Sequence, residues 1–359
     1  MRVLILTNMD IGLYKFRKEL IEELLKHGHE IYLSLPKGGM VEPFVKMGCA
    51  FINTPIDRRG INPKTDFKLF LQYKRMMKDV NPDLVITYTI KPNIYGGIAS
   101  LISGKEYAEN ITGLGTAFER KGFVLALVIN LYKIALKKAK VVFFENSGDR
   151  NEMVSLKCCK KEKTIVLKGA GVNTELYCYQ PYPNNEVIKY LFIGRVMKEK
   201  GIDELFEAMT KLVNEGKKCF LDVVGPLEED YKKTLEVYNT EGWLKYHGYQ
   251  EDVKPFIAAC DCFVLPSYHE GMANTNLECA SSGRPIITSN IPGCKEAVVE
   301  GSGFLCEPKS VESLYETMKS MSEKSREERE QMGKVGRRHM ENVFNKNKVV
   351  QDTINALMR

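Results

Sequence analysis

The chain has 359 residues, 44% of them hydrophobic and 27% charged, with a formal net charge of +6. That length exceeds the ~100–200 residues usual for one domain and favours two, while the composition excludes a collagen-like, low-complexity or largely disordered chain. The charge is uneven: residues 1–170 carry 28 Lys and Arg against 17 Asp and Glu, a net of +11, and the remainder is net −5.

A basic first half is expected to meet something anionic: a lipid surface, a phosphorylated substrate or nucleic acid. Nucleic acid is the weakest of the three, because no helix-turn-helix, RNA-binding aromatic signature or zinc-finger spacing accompanies the charge. Met1 leads directly into Arg2-Val3-Leu4-Ile5-Leu6-Thr7, which reads as a strand without a charged leader or cleavage site, so a cytoplasmic protein is expected. The ten cysteines lie in apolar stretches without paired C-x-x-C spacing and read as reduced thiols.

Strands are predicted at 3–8, 30–35, 50–56, 83–89, 107–112, 140–146 and 164–167. Between the first two, Leu13, Phe16, Leu20, Ile21, Leu24 and Leu25 recur at helical spacing. Continuous apolar runs such as Leu84-Val85-Ile86 suit a parallel sheet covered on both faces. The longest nearly apolar run, 123–132, is broken by Asn130 and is far shorter than the ~20 residues needed to span a membrane. The helix predicted over 123–136, with Lys133, Lys137, Lys138 and Lys140 at its end, reads either as core or as a basic-ended helix at a membrane interface.

Residues 172–187 contain Pro181, Pro183 and Asn184-Asn185 with no sustained period, and read as a linker. A second α/β series follows, with strands at 190–194, 219–224, 244–247, 262–265 and 285–288 and helices at 202–214 and 253–259. The expected organisation is therefore a Rossmann-like domain over 1–171, a linker over 172–188, a second such domain over 189–341, and a C-terminal helix over 342–359 packing back on the first. Two such sheets place a ligand cleft at the carboxyl ends of their strands.

Two loops carry the chemistry. Ser267-Tyr268-His269-Glu270-Gly271-Met272-Ala273-Asn274-Thr275-Asn276-Leu277-Glu278 follows an apolar strand and opens a helix, whose free N–H groups suit a phosphate. Glu278 could accept hydrogen bonds from ribose hydroxyls, and Glu270 reads equally as an ordinary carboxylate near a helix start. Gly194-Arg195-Val196-Met197-Lys198-Glu199-Lys200-Gly201 also follows a strand. There Arg195 and Lys200 could neutralise a diphosphate or stand as surface cations. No Asp-x-Asp occurs and the five histidines do not cluster, so no metal site is expected.

Taken together, Gly194-Arg195 with Lys200, and Glu270-Gly271 with Glu278 eight residues on, resemble the donor-binding half of family 4 glycosyltransferases, retaining enzymes of the two-domain GT-B fold. Gly169-Ala170-Gly171-Val172-Asn173, His247-Gly248-Tyr249, Pro285-Ile286-Ile287-Thr288 and Gly293-Cys294-Lys295-Glu296 extend the resemblance through nearly the whole chain. The resemblance implies an α/β fold with two parallel sheets facing across a cleft, a UDP-sugar donor as substrate, and no cofactor.

In that family's scheme Arg195 and Lys200 stabilise the leaving diphosphate, Glu270 binds a sugar hydroxyl and Glu278 the ribose. Gly194, Gly248, Tyr249, Gly271, Met272, Ala273, Asn274 and Thr275 line the donor. Gly12, in the loop after the first strand, stands where the family places a glycine facing the donor phosphate, without the usual paired glycine. The family's histidine after the strand at 107–112 is absent.

Thr87-x-x-x-Lys91-Pro92-Asn93-x-Tyr95-Gly96, Thr112-Gly113-Leu114-Gly115 and Phe143-Phe144-Glu145-Asn146 with Asp149 resemble a bacterial subgroup that extends polyprenyl-diphosphate-linked sugars. Acceptor contacts are accordingly expected at Lys91, Asn93, Thr112, Gly113 and Gly115, with Lys91 open to a second reading as a strand-end cation. Peripheral attachment to the inner face of the cell membrane is expected as well. A nucleotide-sugar epimerase of the same fold and a non-catalytic sugar-nucleotide-binding assembly protein are the alternatives.

Overall fold

The computed structural model describes residues 1–58, 60, 62–115, 118 and 122–359. It divides into two compact units, one of residues Met1–Ala170 with Asn347–Arg359 and one of Gly171–Lys346. Among the described residues no helix is long and apolar enough to cross a membrane.

Unit 1 is built on a seven-stranded sheet: β1 (Arg2–Leu6), β2 (Glu30–Leu35), β3 (Ala50–Asn53), β4 (Leu84–Tyr88), β5 (Glu106–Ile111), β6 (Val141–Phe144) and β7 (Thr164–Val166). The order is β3-β2-β1-β4-β5-β6-β7 and every pairing is parallel. Parallel strands need a crossover, so helices cover both faces. On one face lies α1 (Asp10–Lys26), whose Leu13, Leu20, Ile21 and Leu24 are buried. The last helix, Lys346–Met358, adds Val349, Val350, Ile354 and Leu357 to the same cluster.

On the other face lie α3 (Pro63–Asp79), α4 (Gly97–Ile102) and α5 (Phe123–Ala135), which bury Tyr73, Met77, Ala99 and Tyr132. Short α2 (Val41–Lys46) follows β2, and α6 (Ser147–Ser155) follows β6, its start capped by the Asn146 side chain.

Unit 2 repeats the design with β8 (Ile188–Ile193), β9 (Cys219–Val224), β10 (Leu244–Tyr246), β11 (Cys262–Leu265), β12 (Ile286–Ser289) and β13 (Gly303–Cys306), ordered β10-β9-β8-β11-β12-β13 and again parallel. Its helices are α7 (Ile202–Asn214), α8 (Lys232–Thr240), α9 (Lys254–Ala259), α10 (Asn274–Ser281), α11 (Val311–Glu323) and α12 (Arg326–Val343), so the last helix of the chain is α13. Strand order reverses between β8 and β11, and the two loops singled out by chemistry leave those two strands. A doubly wound sheet binds ligands at such a reversal.

Two expectations need amending. Residues 172–188 are not a free connection but part of unit 2: Val172 and Tyr182 are buried, and the Tyr182 hydroxyl donates to the Asp261 carbonyl at 2.7 Å. Prolines interrupt the period there, yet the tyrosines between them anchor the segment. Strand β13 was not expected, because four residues after a Gly-Ser-Gly turn carry too little pattern to stand out. All ten cysteines are unpaired.

Candidate active site

The loop after β8 is closed by glycines at both ends. The Gly194 N–H donates to the Val224 carbonyl at 3.0 Å, and Gly225, at φ +142°, packs so tightly over Gly194 that a Cβ would overlap its carbonyl oxygen. Residues Lys198–Lys200 form one tight helical turn, ended by Gly201 at φ +69°. A side chain at Gly201 would strike the Pro266 carbonyl, so glycine is required both for its left-handed backbone and for the close approach of the two loops. The Tyr268 N–H donates to the Glu199 carbonyl at 2.9 Å and fixes the loops to each other.

This contact brings Lys200 to Glu270. The Lys200 ammonium donates to Glu270 Oε1, which also accepts from the Ser267 hydroxyl at 2.8 Å. The two side chains are 16% and 14% exposed, which leaves the pair accessible to a ligand from one side. Arg195, by contrast, is exposed and ion-pairs with no carboxylate among the described residues. Behind Glu270, Gly293 at φ +86° lies against the Glu270 and Gly271 carbonyls where a Cβ could not fit. Its carbonyl accepts the Ala273 N–H at 2.8 Å, and its own N–H reaches Glu296 Oε2 at 2.8 Å.

Helix α10 then begins at Asn274, so Glu278 stands little more than one turn in. Met272 and Ala273 are buried, and Asn274 and Thr275 are half-buried at the helix mouth. Three buried polar atoms here have no hydrogen-bond partner among the described residues: His269 Nε2, Asn274 Oδ1 and Asn276 Oδ1. Unmet polar atoms beside an accessible ion pair are what a polar ligand would satisfy. Further along the edge, Gly225 N–H donates to the Gly248 carbonyl at 2.8 Å, His247 Nε2 lies 2.6 Å from Asp222 Oδ1, and Tyr249 is 58% exposed.

Sequence reasoning missed Tyr177, which lies in the stretch read as a linker. Its carbonyl accepts from Ser281 Oγ at 2.7 Å and from Arg337 at 2.8 Å, and its hydroxyl hydrogen-bonds Glu278. Burial, with the Glu278 charge second, pushes the phenol well above its ordinary range, so it stays protonated and acts as a donor. If the site takes the UDP-sugar that the family resemblance implies, Tyr177→Phe weakens UDP binding about tenfold with turnover unchanged, the loss of one hydrogen bond to a charged group. Titration calorimetry with UDP checks this, and an unaltered dissociation constant would show that Glu278 needs no support.

Unit 1 departs further from expectation. Gly12 is not in a loop but in the first turn of α1. Asn93 is 1% exposed: its Oδ1 accepts from Thr87 at 2.7 Å and its amide donates to the Asn110 carbonyl at 2.9 Å. It ties β4 to β5 through a π-helical turn, Pro92–Gly96. Lys91 forms an ion pair with Asp66 at 2.6 Å, and the same carboxylate accepts from Tyr95 at 3.1 Å. Thr112, Gly113 and Gly115 are half-exposed beyond β5, the glycines at φ +133° and +66°. A buried pair at these strand ends also escaped notice, Arg17 with Glu145 at 2.5 Å, the guanidinium lying 5.1 Å from the Tyr88 ring centre. A charged residue on the apolar stripe of α1 was the available signal. Among the described residues no three His, Cys, Asp or Glu side chains converge as a metal site requires.

Comparison with known proteins agrees with this geometry. A model of glycosyl transferases group 1 matches residues 180–339, and a glycosyl transferase 4-like model matches residues 2–146. The chain is a glycosyltransferase with a glycosyl transferase 4-like first domain and a group 1 second domain.

The glycosyltransferase is 28% identical over 342 residues to the N,N′-diacetylbacillosaminyl-diphospho-undecaprenol α-1,3-N-acetylgalactosaminyltransferase of Campylobacter jejuni, covering 90% of each chain. It is 25% identical to the UDP-Gal:α-D-GlcNAc-diphosphoundecaprenol α-1,3-galactosyltransferase of Escherichia coli, covering 86% of this chain and 84% of that one. Its fold matches Anabaena HepE, solved with UDP and glucose, with a TM-score of 0.81 at 17% identity over 100% of this chain and 99% of the other. The fold is therefore GT-B, with two Rossmann-like parallel-sheet units. The epimerase and non-catalytic alternatives draw no support from these matches.

Proposed function

We propose that the glycosyltransferase moves a hexose or N-acetylhexosamine from a UDP-sugar to a polyprenyl-diphosphate-linked acceptor, with retention of anomeric configuration, during assembly of a bacterial polysaccharide or glycoconjugate. The observation that carries this reading is the Lys200–Glu270 pair, held between glycine-closed loops where the unit 2 strand order reverses, with unpaired Arg195 on the same loop as Lys200. The two full-length bacterial relatives that act on diphospho-undecaprenol sugars support the acceptor class.

In the reaction the bond from the anomeric carbon to the donor β-phosphate oxygen breaks, and charge grows on the departing UDP. Arg195 and Lys200 stabilise that charge and take the part a divalent cation plays elsewhere, so the enzyme is metal-independent. Glu270 holds a hydroxyl of the donor sugar. The acceptor hydroxyl attacks from the face the phosphate leaves, its oxygen bonds to the anomeric carbon, and its proton passes to the departing phosphate oxygen. No side-chain nucleophile is involved.

Glu278, supported by Tyr177, grips the ribose, while Gly194, Gly248 and Tyr249 line the diphosphate and nucleobase and residues 271–275 the sugar. Thr112, Gly113 and Gly115 receive the acceptor in unit 1, next to the Lys91–Asp66 pair. A lipid-linked acceptor places the enzyme peripherally on the cytoplasmic face of the membrane.

The test is incubation with a panel of UDP-sugars and lipid-diphosphate acceptors, with products identified by mass and the new linkage by NMR. Transfer with the α configuration of the donor preserved is expected. An inverted linkage would overturn the same-face mechanism, and donor isomerisation without transfer would overturn the function.

A further inference from the structure

Six of the large apolar side chains that the chain exposes belong to one helical layer of unit 1: Phe67 (59%) and Leu71 (46%) on α3, Ile102 on α4, and Phe123 (82%), Leu127 and Ile134 on α5. The layer is also almost purely cationic. Lys74 and Lys78 continue the Phe67–Leu71 stripe at the same helical spacing, and Lys133, Lys137 and Lys138 end α5. Neither α4 nor α5 contains an acidic residue, and the two acids of α3 are already paired, Asp66 with Lys91 and Asp79 with Arg75. Helix α1, on the opposite face of the sheet, mixes its charges and pairs Lys18 with Glu22 and Lys26 with Glu23. Among the described residues this layer therefore sets unpaired cations beside exposed apolar groups, whereas the cations of α1 are balanced by acids on the same helix.

The two longer helices share a polarity. Each runs from the finishing end of one strand back to the starting end of the next, with Phe67 or Phe123 near its start; the cations of α3 are spread along it, Lys64 and Lys68 as well as Lys74 and Lys78, while those beside α5 gather at and after its end. A groove of about 600 Å³ lies toward the end of α3, lined by Leu71, Lys74, Lys78 and Lys105 among others. Lys105 there contacts the Asn81 side chain, whereas Lys74 and Lys78 are fully exposed.

We infer that this three-helix layer is a membrane-docking face for an anionic bilayer. Phe67, Leu71, Phe123 and Leu127 enter the headgroup region, and Lys74, Lys78, Lys133 and Lys137 meet lipid phosphates. The inference rests on the lipid-linked acceptor proposed above and names the surface that reaches it. Apolar contact gives depth and cationic contact gives the preference for anionic lipid, as in other interfacial helices. The inserted end is the end at which β4 and β5 finish, the same edge that carries Lys91 and the Thr112–Gly115 loop, so docking would present that edge to a lipid-borne acceptor.

The full chain offers a convenient reporter background, because its single tryptophan, Trp243, is buried in unit 2. Phe67→Trp and Phe123→Trp are each expected to blue-shift on addition of 3:1 phosphatidylcholine:phosphatidylglycerol vesicles, weakly with pure phosphatidylcholine, and to lose the shift in high salt. In co-sedimentation, Lys74→Gln/Lys78→Gln should bind the anionic vesicles about 25-fold more weakly, and Lys133→Gln/Lys137→Gln/Lys138→Gln about a hundredfold, from roughly fivefold per charge. Transfer to a short soluble acceptor analogue should be unchanged in both. Effects from α5 alone, with Phe67→Trp silent, would overturn the three-helix face, and equal binding to neutral vesicles would overturn its ionic basis. Vesicle binding as expected, with no transfer to any acceptor by the wild type, would sink the proposed reaction and leave the docking face standing.

Discussion

Lys200→Ala is expected to lower turnover about a hundredfold and Arg195→Ala about tenfold or more, each with a smaller change in donor affinity. A charge-assisted contact is worth ~1.5–3 kcal/mol, which in a transition state corresponds to roughly tenfold to more than a hundredfold in rate. The lysine should be the more costly of the two because it has two partners to lose. In the free enzyme it holds Glu270, and in the proposed reaction it faces the departing diphosphate as the donor bond breaks. Removing it takes away the cationic partner of Glu270 Oε1, to which the Ser267 hydroxyl still donates. Arg195 holds no carboxylate in place, so its loss should register only in the charge it places near the diphosphate. Steady-state kinetics with a fixed acceptor decide the matter: unchanged turnover in both variants, with normal folding, would remove these cations from the reaction.

Glu270→Gln should be worse for transfer than Glu278→Gln, and in a different parameter. The amide keeps the shape but gives up the charge that pairs with Lys200, so the reacting sugar loses its orienting group and turnover falls. Glu278 sits one turn into α10 with Tyr177 bonded to it, and its change should appear mainly as a higher donor KM. Equal effects confined to donor affinity in both variants would contradict this division.

The two loops of unit 2 and the strands they leave could be read from the chain because their requirements are local. Gly201, Gly225 and Gly293 are demanded by backbone approaches within or beside the loops themselves, and the eight-residue interval from Glu270 to Glu278 spans one loop and one helix turn. What could not be read involves partners far apart in sequence. Nothing near Lys91 in the chain could reveal Asp66 as its counter-ion, and the burial of Asn93 depends on where Thr87 and Asn110 arrive in the sheet. Tyr177 was hidden by its prolines-and-turns surroundings, although its backbone is pinned by Ser281 and Arg337, more than a hundred positions away. The strands and their parallel, doubly covered arrangement followed from the alternation of apolar runs and helical stripes, with the short β13 escaping that pattern.

The place of α13 bears on how the molecule is made. Its Val349, Val350, Ile354 and Leu357 lie in the same apolar cluster as Leu20 and Leu24 of α1, although all of unit 2 intervenes between them in the chain. A growing polypeptide can therefore fold unit 2 as one continuous stretch, but unit 1 must wait, with one side of its sheet incompletely covered, until residues 349–357 have left the ribosome. The domain synthesised first is thus the one completed last, and during that interval its uncovered apolar face is the part of the nascent chain most in need of a chaperone.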